Sequence, residues 1–253
     1  MYHFFIQAKQ VSDNIVSLQG NDVNHIKNVL RMKIGEKISL SDEDGVGYTC
    51  SISSFEKDEI LLDILEIQDV SHELPANVTL FQGLPKGDKF ETIIQKAVEL
   101  GVNEIVPVMT KRSVVKLDTK KRENKLKRWN SISESAAKQS KRTYIPKVEE
   151  VIDFEEAIKL SAGFDNVCIP YEQAEGMKST KEFLSNLKPD TKVAFYIGPE
   201  GGFEEYEIQK AMEYGIKPVS LGKRVLRTET AGMALMSMIM LTYECQCDEE
   251  ISD

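Results

Sequence analysis

From Val78 to the C-terminal helix, short apolar runs alternate with amphipathic helical patterns, and this alternation restricts the chain more than any single motif. Strand-like runs fall at 78–84, 104–109, 166–170, 192–198 and 218–221. Between the first two, Asp88 can cap a helix whose inward face is Phe90, Ile93, Ile94, Ala97 and Val98 and which Gly101 stops. A longer helix over about 122–141 carries Leu126, Trp129, Ile132 and Ala136 on one side, and further helices fit 178–187 and 204–214. Strands separated by helices predict an α/β domain built on a mainly parallel sheet.

The first 70 residues read differently. Apolar runs at 3–7, 15–18, 37–40, 48–55 and 60–67 are divided by turn signals such as Asp44-Gly45. One helix fits between them, capped by Asp22, with Val23, Ile26, Val29 and Leu30 on one face and Gly35 at its end. This pattern predicts a small barrel-like β domain. The polar stretch SHELPAN at 71–77 is the expected linker, so the expected domains are 1–72 and 73–253, a division the length permits.

Several classes of function are excluded. The longest uncharged apolar run, 231–243, is 13 residues, short of the ~20 a bilayer requires. The N-terminus lacks the basic start and apolar stretch of a signal peptide. The four cysteines form no CxxC pair, so neither a disulfide framework nor a metal site is expected, and a cytoplasmic location is. No GxGxxG, GxxxxGK[ST] or GxSxG occurs. The histidines, His3, His25 and His72, lie outside the α/β region, so proton transfer there must use carboxylates, Lys, Tyr or water.

The net charge of −9 would argue against a nucleic-acid partner, but it is unevenly spread. Residues 111–147 hold 13 Lys/Arg against Asp118, Glu123 and Glu134, a local balance of +10, which leaves −19 on the rest. Such a segment can focus a polyanion on one face, or it can be a solvated helix.

Two loops carry the chemistry. Ile197-Gly198-Pro199-Glu200-Gly201-Gly202 follows a strand and precedes a helix, where ligands of open α/β sheets bind. Its glycines let backbone approach a ligand, and Glu200 adds a carboxylate. The second loop, LGKRVLRTETAG at 221–232, leads into a Met-rich apolar helix suited to a buried or oligomer-forming position. There Val225 and Leu226 can wall a flat ring, Arg227 supplies a fixed cation, and Thr228, Glu229 and Thr230 can cap the helix. Taken alone, either loop can equally be an ordinary strand–helix connection.

As a pair, in this order and spacing, the loops resemble those of the SPOUT superfamily of S-adenosylmethionine-dependent RNA methyltransferases. The likeness is greatest to its RsmE-type family, which methylates uridine N3 in small-subunit (16S) ribosomal RNA. The stretches HIKNVLRMKIGEKI (25–38), KGDKFETIIQKAVELGV (86–102) and the basic segment through Lys141-Arg142 fit the same family. The resemblance implies a small PUA-like β-barrel RNA-binding domain followed by an α/β domain with a trefoil knot, working as a homodimer. Sequence rules alone would predict no knot. It also implies that S-adenosylmethionine is lined by Ile169, Pro170, Ile197, Gly198, Pro199, Gly201, Leu221, Gly222, Leu226 and Ala231, with backbone groups reading the adenine.

Uracil N3 carries a proton at neutral pH, so attack on a methyl sulfonium needs a proton acceptor and positive charge near the base. Arg227 is the expected cation, with Glu200, Glu229 or water as acceptor. N3 lies on the Watson–Crick edge, so the target must be unpaired or flipped out. Arg31, Lys111, Arg112, Lys138, Lys141 and Arg142 are the expected RNA contacts, with Lys86 and Lys89 weaker candidates. Competing expectations are methylation of a transfer RNA base or ribose hydroxyl, and a non-catalytic ribosome-assembly factor. A phosphate site at Gly201-Gly202 is disfavoured by Glu200, Glu204 and Glu205.

Overall fold

The computed structural model describes residues 1–68, 73–113, 119–174 and 176–250. They group into two compact units, Met1–Glu73 with Ala137–Ile145, and Leu74–Ala136 with Pro146–Asp253. The expected boundary at 72/73 and part of the expected linker fall on residues 69–72, outside the described residues. The return of 137–145 to the first unit has no mark in the sequence, because the helix that enters it is unbroken at that point.

The first unit contains β1 (His3–Phe5), β2 (Val11–Ser12), β3 (Ile15–Gln19), α1 (Asn21–Asn24), β4 (Lys37–Ser41), β5 (Gly47–Phe55) and β6 (Glu59–Gln68). The strands form one sheet in the order β1-β4-β5-β6-β3-β2. Pairing is antiparallel except for β1 with β4, and no pairing joins β1 to β2 among the described residues. The sheet is therefore a partial barrel. Alternate residues such as Val16 and Leu18, Ile38 and Leu40, and Ile60 and Leu62 fill its core.

The predicted helix of this unit is shorter than its pattern. Gly20, not Asp22, stands at the N-cap, and α1 passes into a wide turn over His25–Val29 in which Leu30 N–H donates to His25 O at 2.9 Å. The extra residue in that turn rotates the face. Val23 and Ile26 remain buried, while Val29 is left 65% exposed.

The second unit contains β7 (Asn77–Gly83), α2 (Lys89–Glu99), β8 (Glu104–Met109), α3 (Thr119–Ser140), β9 (Lys147–Val148), β10 (Ile152–Asp153), α4 (Phe154–Leu160), β11 (Asn166–Pro170), α5 (Gly176–Ser185), β12 (Lys192–Ile197), α6 (Glu205–Glu213), β13 (Lys217–Val219) and α7 (Thr228–Glu250). All five predicted residues of the α2 face are buried, and Phe90 meets Trp129 of α3 edge-on with centroids 4.5 Å apart. The sequence pattern misses β9, β10 and α4, because two-residue strands and a two-turn helix give too little periodicity. Asp153 caps α4 by accepting the Glu156 N–H.

The sheet order is β10-β8-β7-β12-β11-β13, with β9 also on β8, and every pairing is parallel. The chain leaves β7 toward β8 but leaves β12 toward β13. The carboxyl ends of β7 and β12 therefore form a topological switch point, where an open α/β sheet presents a crevice. Tyr196 of β12 anchors the sheet below it, stacked on Phe81 of β7 with centroids 4.5 Å apart and donating to Ala157 O at 2.7 Å.

Candidate active site

Gly83 ends β7 against the first loop. A Cβ there would lie 2.6 Å from Pro199 Cδ and 2.8 Å from Pro199 N, so only glycine lets strand and loop meet. Within the loop, a Cβ on Gly198 would come within 3.0 Å of the Gly202 backbone, and Gly202 has φ of +68°. Substituting Gly83 by Ala is expected to displace the 198–202 turn and lower stability by about 1–3 kcal/mol, read by urea unfolding.

Glu200 faces back toward α2. Its carboxylate accepts from Lys89 Nζ at 2.7 Å and from the Lys86 N–H at 3.2 Å. Partial burial raises its pKa, but the bonds from Lys89 and the loop backbone outweigh this and hold the carboxyl below the usual range. A paired, weakly basic carboxylate is a poor proton acceptor at neutral pH. Arg112 braces the loop from the other side, reaching Glu204 through Nε at 2.9 Å and donating to Gly201 O. It thus holds the loop where the sequence suggested an RNA contact. The Lys111 N–H donates to Glu207 Oε1 at 2.9 Å, and its side chain is exposed.

The second loop is pinned at both ends. At β13, the Ser220 N–H donates to Thr180 Oγ1 at 3.1 Å, and Thr180 Oγ1 donates to Ser220 O. At α7, Thr228 Oγ1 donates to Gly198 O at 2.6 Å instead of capping its own helix as predicted. Gln82, fully buried on β7, completes the tie by donating through Nε2 to Thr228 Oγ1 and to Gly83 O, both at 2.9 Å. The segment 220–228 therefore reaches from the β13 edge past β11 to β12, bringing the two predicted loops together. Gln82 and Gly83 escaped the sequence reading. A glycine closing a strand pattern is a recognised sign of close backbone approach, whereas nothing marks Gln82.

Three features suit this crevice to a polar organic ligand. Gly222, at φ +104°, has open space where a Cβ would stand. Among the described residues, the backbone N–H and C=O groups of Leu221 and Leu226 take no protein partner. Gln82 Oε1 and Glu229 Oε2 are buried acceptors without a protein partner. Arg227 is exposed and makes no ion pair among the described residues. Val225, expected to wall a ring, is instead 87% exposed.

The other expected RNA contacts divide. Arg31 and Lys141 are exposed, each with a left-handed backbone, φ 53° and 59°. Lys138 Nζ binds Asp22 Oδ1 at 3.1 Å and lies over the Phe4 ring. Arg142 is 3% exposed and holds Glu73 through Nε at 2.7 Å, so its guanidinium is a buried structural group rather than a surface contact for phosphate. Two hollows lie away from the loops. One of about 610 Å³ is lined by α5 and Thr242 of α7, and one of about 530 Å³ includes Thr79, Glu104 and Lys192 near the amino ends of their strands.

A family described as the RNA methyltransferase domain matches residues 72–240, and one described as the RNA methyltransferase PUA domain matches residues 18–65. The chain is 38% identical to ribosomal RNA small subunit methyltransferase E of Bacillus subtilis, over 96% of this chain and 98% of that protein. The crystal structure of the same-named protein from Neisseria gonorrhoeae, bound to S-adenosyl methionine, superposes with a TM-score of 0.84 at 33% identity, covering 96% of this chain and 98% of that one. A methyltransferase from Legionella pneumophila in complex with the bound cofactor SAM gives 0.82 at 31% identity, covering 95% and 97%. With both domains matched and full-length relatives aligned, this chain belongs to the ribosomal RNA small subunit methyltransferase E family of RNA methyltransferases.

Proposed function

We propose that the protein methylates N3 of a uridine in 16S ribosomal RNA, using S-adenosylmethionine. The observation that carries this reading is the convergence of the two loops at the switch point, fastened through Gln82, Thr228 and Gly198. Ile169, Pro170, Ile197, Gly198, Pro199, Gly201, Leu221, Gly222, Leu226 and Ala231 would hold the cofactor. The free backbone groups of Leu221 and Leu226 suit an adenine edge. When bound, S-adenosylmethionine supplies an electrophilic methyl whose bond to sulfur breaks as the bond to nitrogen forms.

The chain's residues do the rest. Arg227 stabilises the uracil anion that develops as N3 loses its proton. Of the two carboxylates, Glu229 is the better proton acceptor, because its carboxylate makes no hydrogen bond or ion pair among the described residues while Glu200 is committed to Lys89. Glu229→Gln is expected to lower kcat at least ~100-fold. Glu200→Gln should leave kcat within a few-fold of the parent. The reverse pattern would transfer the role to Glu200.

Exposed Arg31, Lys111 and Lys141 are proposed to hold the RNA backbone. The exposed Leu241 and half-buried Met233, Met238 and Met240 of α7 favour a homodimer, and the 220–228 crossing favours the knot. No helix among the described residues is long and apolar enough to cross a membrane, which agrees with a cytoplasmic location. The test is mass spectrometry of unmodified small-subunit ribosomal RNA incubated with the protein and S-adenosylmethionine. A new 3-methyluridine is expected, and its absence from both naked RNA and assembled subunits would overturn the reading.

A further inference from the structure

The segment Lys223–Arg227 combines features that the cofactor site does not need. The flanking residues are held, Ser220 by Thr180 and Thr228 by Gln82 and Gly198, so the segment forms an arch, pinned on both sides, over the carboxyl end of β11. Val225 tops the arch at 87% exposure, the most exposed large apolar side chain among the described residues. Burying it would be favourable, yet no protein group covers it. On either side, Lys223, Arg224 and Arg227 are exposed, and none has an ion-pair partner among the described residues. An apolar tip between free cations on a pinned backbone matches a nucleic-acid strand, whose phosphates want the cations and whose unstacked bases offer an apolar face.

Resting on the proposed uridine methylation, we infer that this arch seats the RNA strand flanking the target nucleotide, with Val225 as the wedge. Methylation at N3 requires the uracil to leave the base stack, which opens a gap with an unstacking cost. Val225 fills that gap by packing against the neighbouring base, while Lys223 and Arg224 hold the phosphates on either side. Val225 is thus a positioning residue that holds the extruded state and touches no reacting atom.

The two contributions differ in salt dependence, and RNA binding can be measured without turnover. The probe is in vitro transcribed 16S ribosomal RNA, titrated against full-length protein between 50 and 200 mM salt. Lys223→Gln/Arg224→Gln is expected to weaken binding and to reduce the log–log salt slope by about 1.4–1.8. Val225→Ser is expected to weaken binding about tenfold at every salt concentration with the slope unchanged, and Val225→Leu to restore it. In all of these variants, S-adenosylmethionine affinity by calorimetry should match the parent. Unchanged RNA affinity in both sets, or loss of S-adenosylmethionine binding with RNA binding intact, would overturn the inference. Parent protein that binds RNA through the arch but forms no 3-methyluridine would overturn the proposed reaction and leave the docking surface standing.

Discussion

Arg227→Ala will lower kcat for methyl transfer by about 10²–10³, the loss typical of one donor that meets charge developing in a transition state. The KM for S-adenosylmethionine and the unfolding midpoint should scarcely move. The guanidinium is exposed and makes no ion pair among the described residues, so its removal strands no buried partner. Its neighbour Thr228 keeps the loop in place through Gly198 and Gln82, independently of the Arg227 side chain. Arg227→Lys should recover part of the rate, because an ammonium keeps the charge but loses the planar fork. Single-turnover rates with saturating cofactor make the measurement clean. A kcat within threefold of the parent would remove Arg227 from the chemistry.

Much of this site was legible in the sequence because it rests on local rules. The α2 face, the strands at 104–109 and 166–170, and both loops follow from periodicity, glycine and strand ends, and the structure reproduces them. What stayed hidden depends on pairing between distant segments. Nothing local says that β12 inserts between β7 and β11, and only that insertion brings Gln82 beside Thr228, 146 residues later. For the same reason, a count of charges over 111–147 could not separate the exposed Lys141 from its neighbour Arg142. Both add +1 to a window, yet one faces water and the other lies 69 residues in sequence from the carboxylate it binds.

That buried pair sets the largest stability effect. Glu73 accepts from Arg142 Nε at 2.7 Å, from the Thr143 N–H at 2.8 Å and from Thr143 Oγ1 at 3.1 Å. The guanidinium also donates to Tyr144 Oη at 2.8 Å and lies 4.9 Å from that ring's centre. Both ends of this clasp belong to the first unit, where it fastens the returning 137–145 segment beside the end of the β domain. Arg142→Ala leaves the Glu73 carboxylate largely out of water without its main counter-charge, and such a break costs about 3–5 kcal/mol. Urea unfolding should show that loss, whereas Arg142→Met/Glu73→Gln, which removes both charges, keeps the volume and leaves an amide oxygen to accept from Thr143, should regain most of it. RNA titration then separates structure from contact. If Arg142 acts through the fold, the double variant regains RNA affinity with its salt slope unchanged. If it bound a phosphate, stability would hold in the single variant and the slope would fall by about 0.7–0.9 in both. The 3% exposure of Arg142 decides for the first outcome, because a guanidinium closed off from solvent cannot meet a phosphate without first breaking its bond to Glu73.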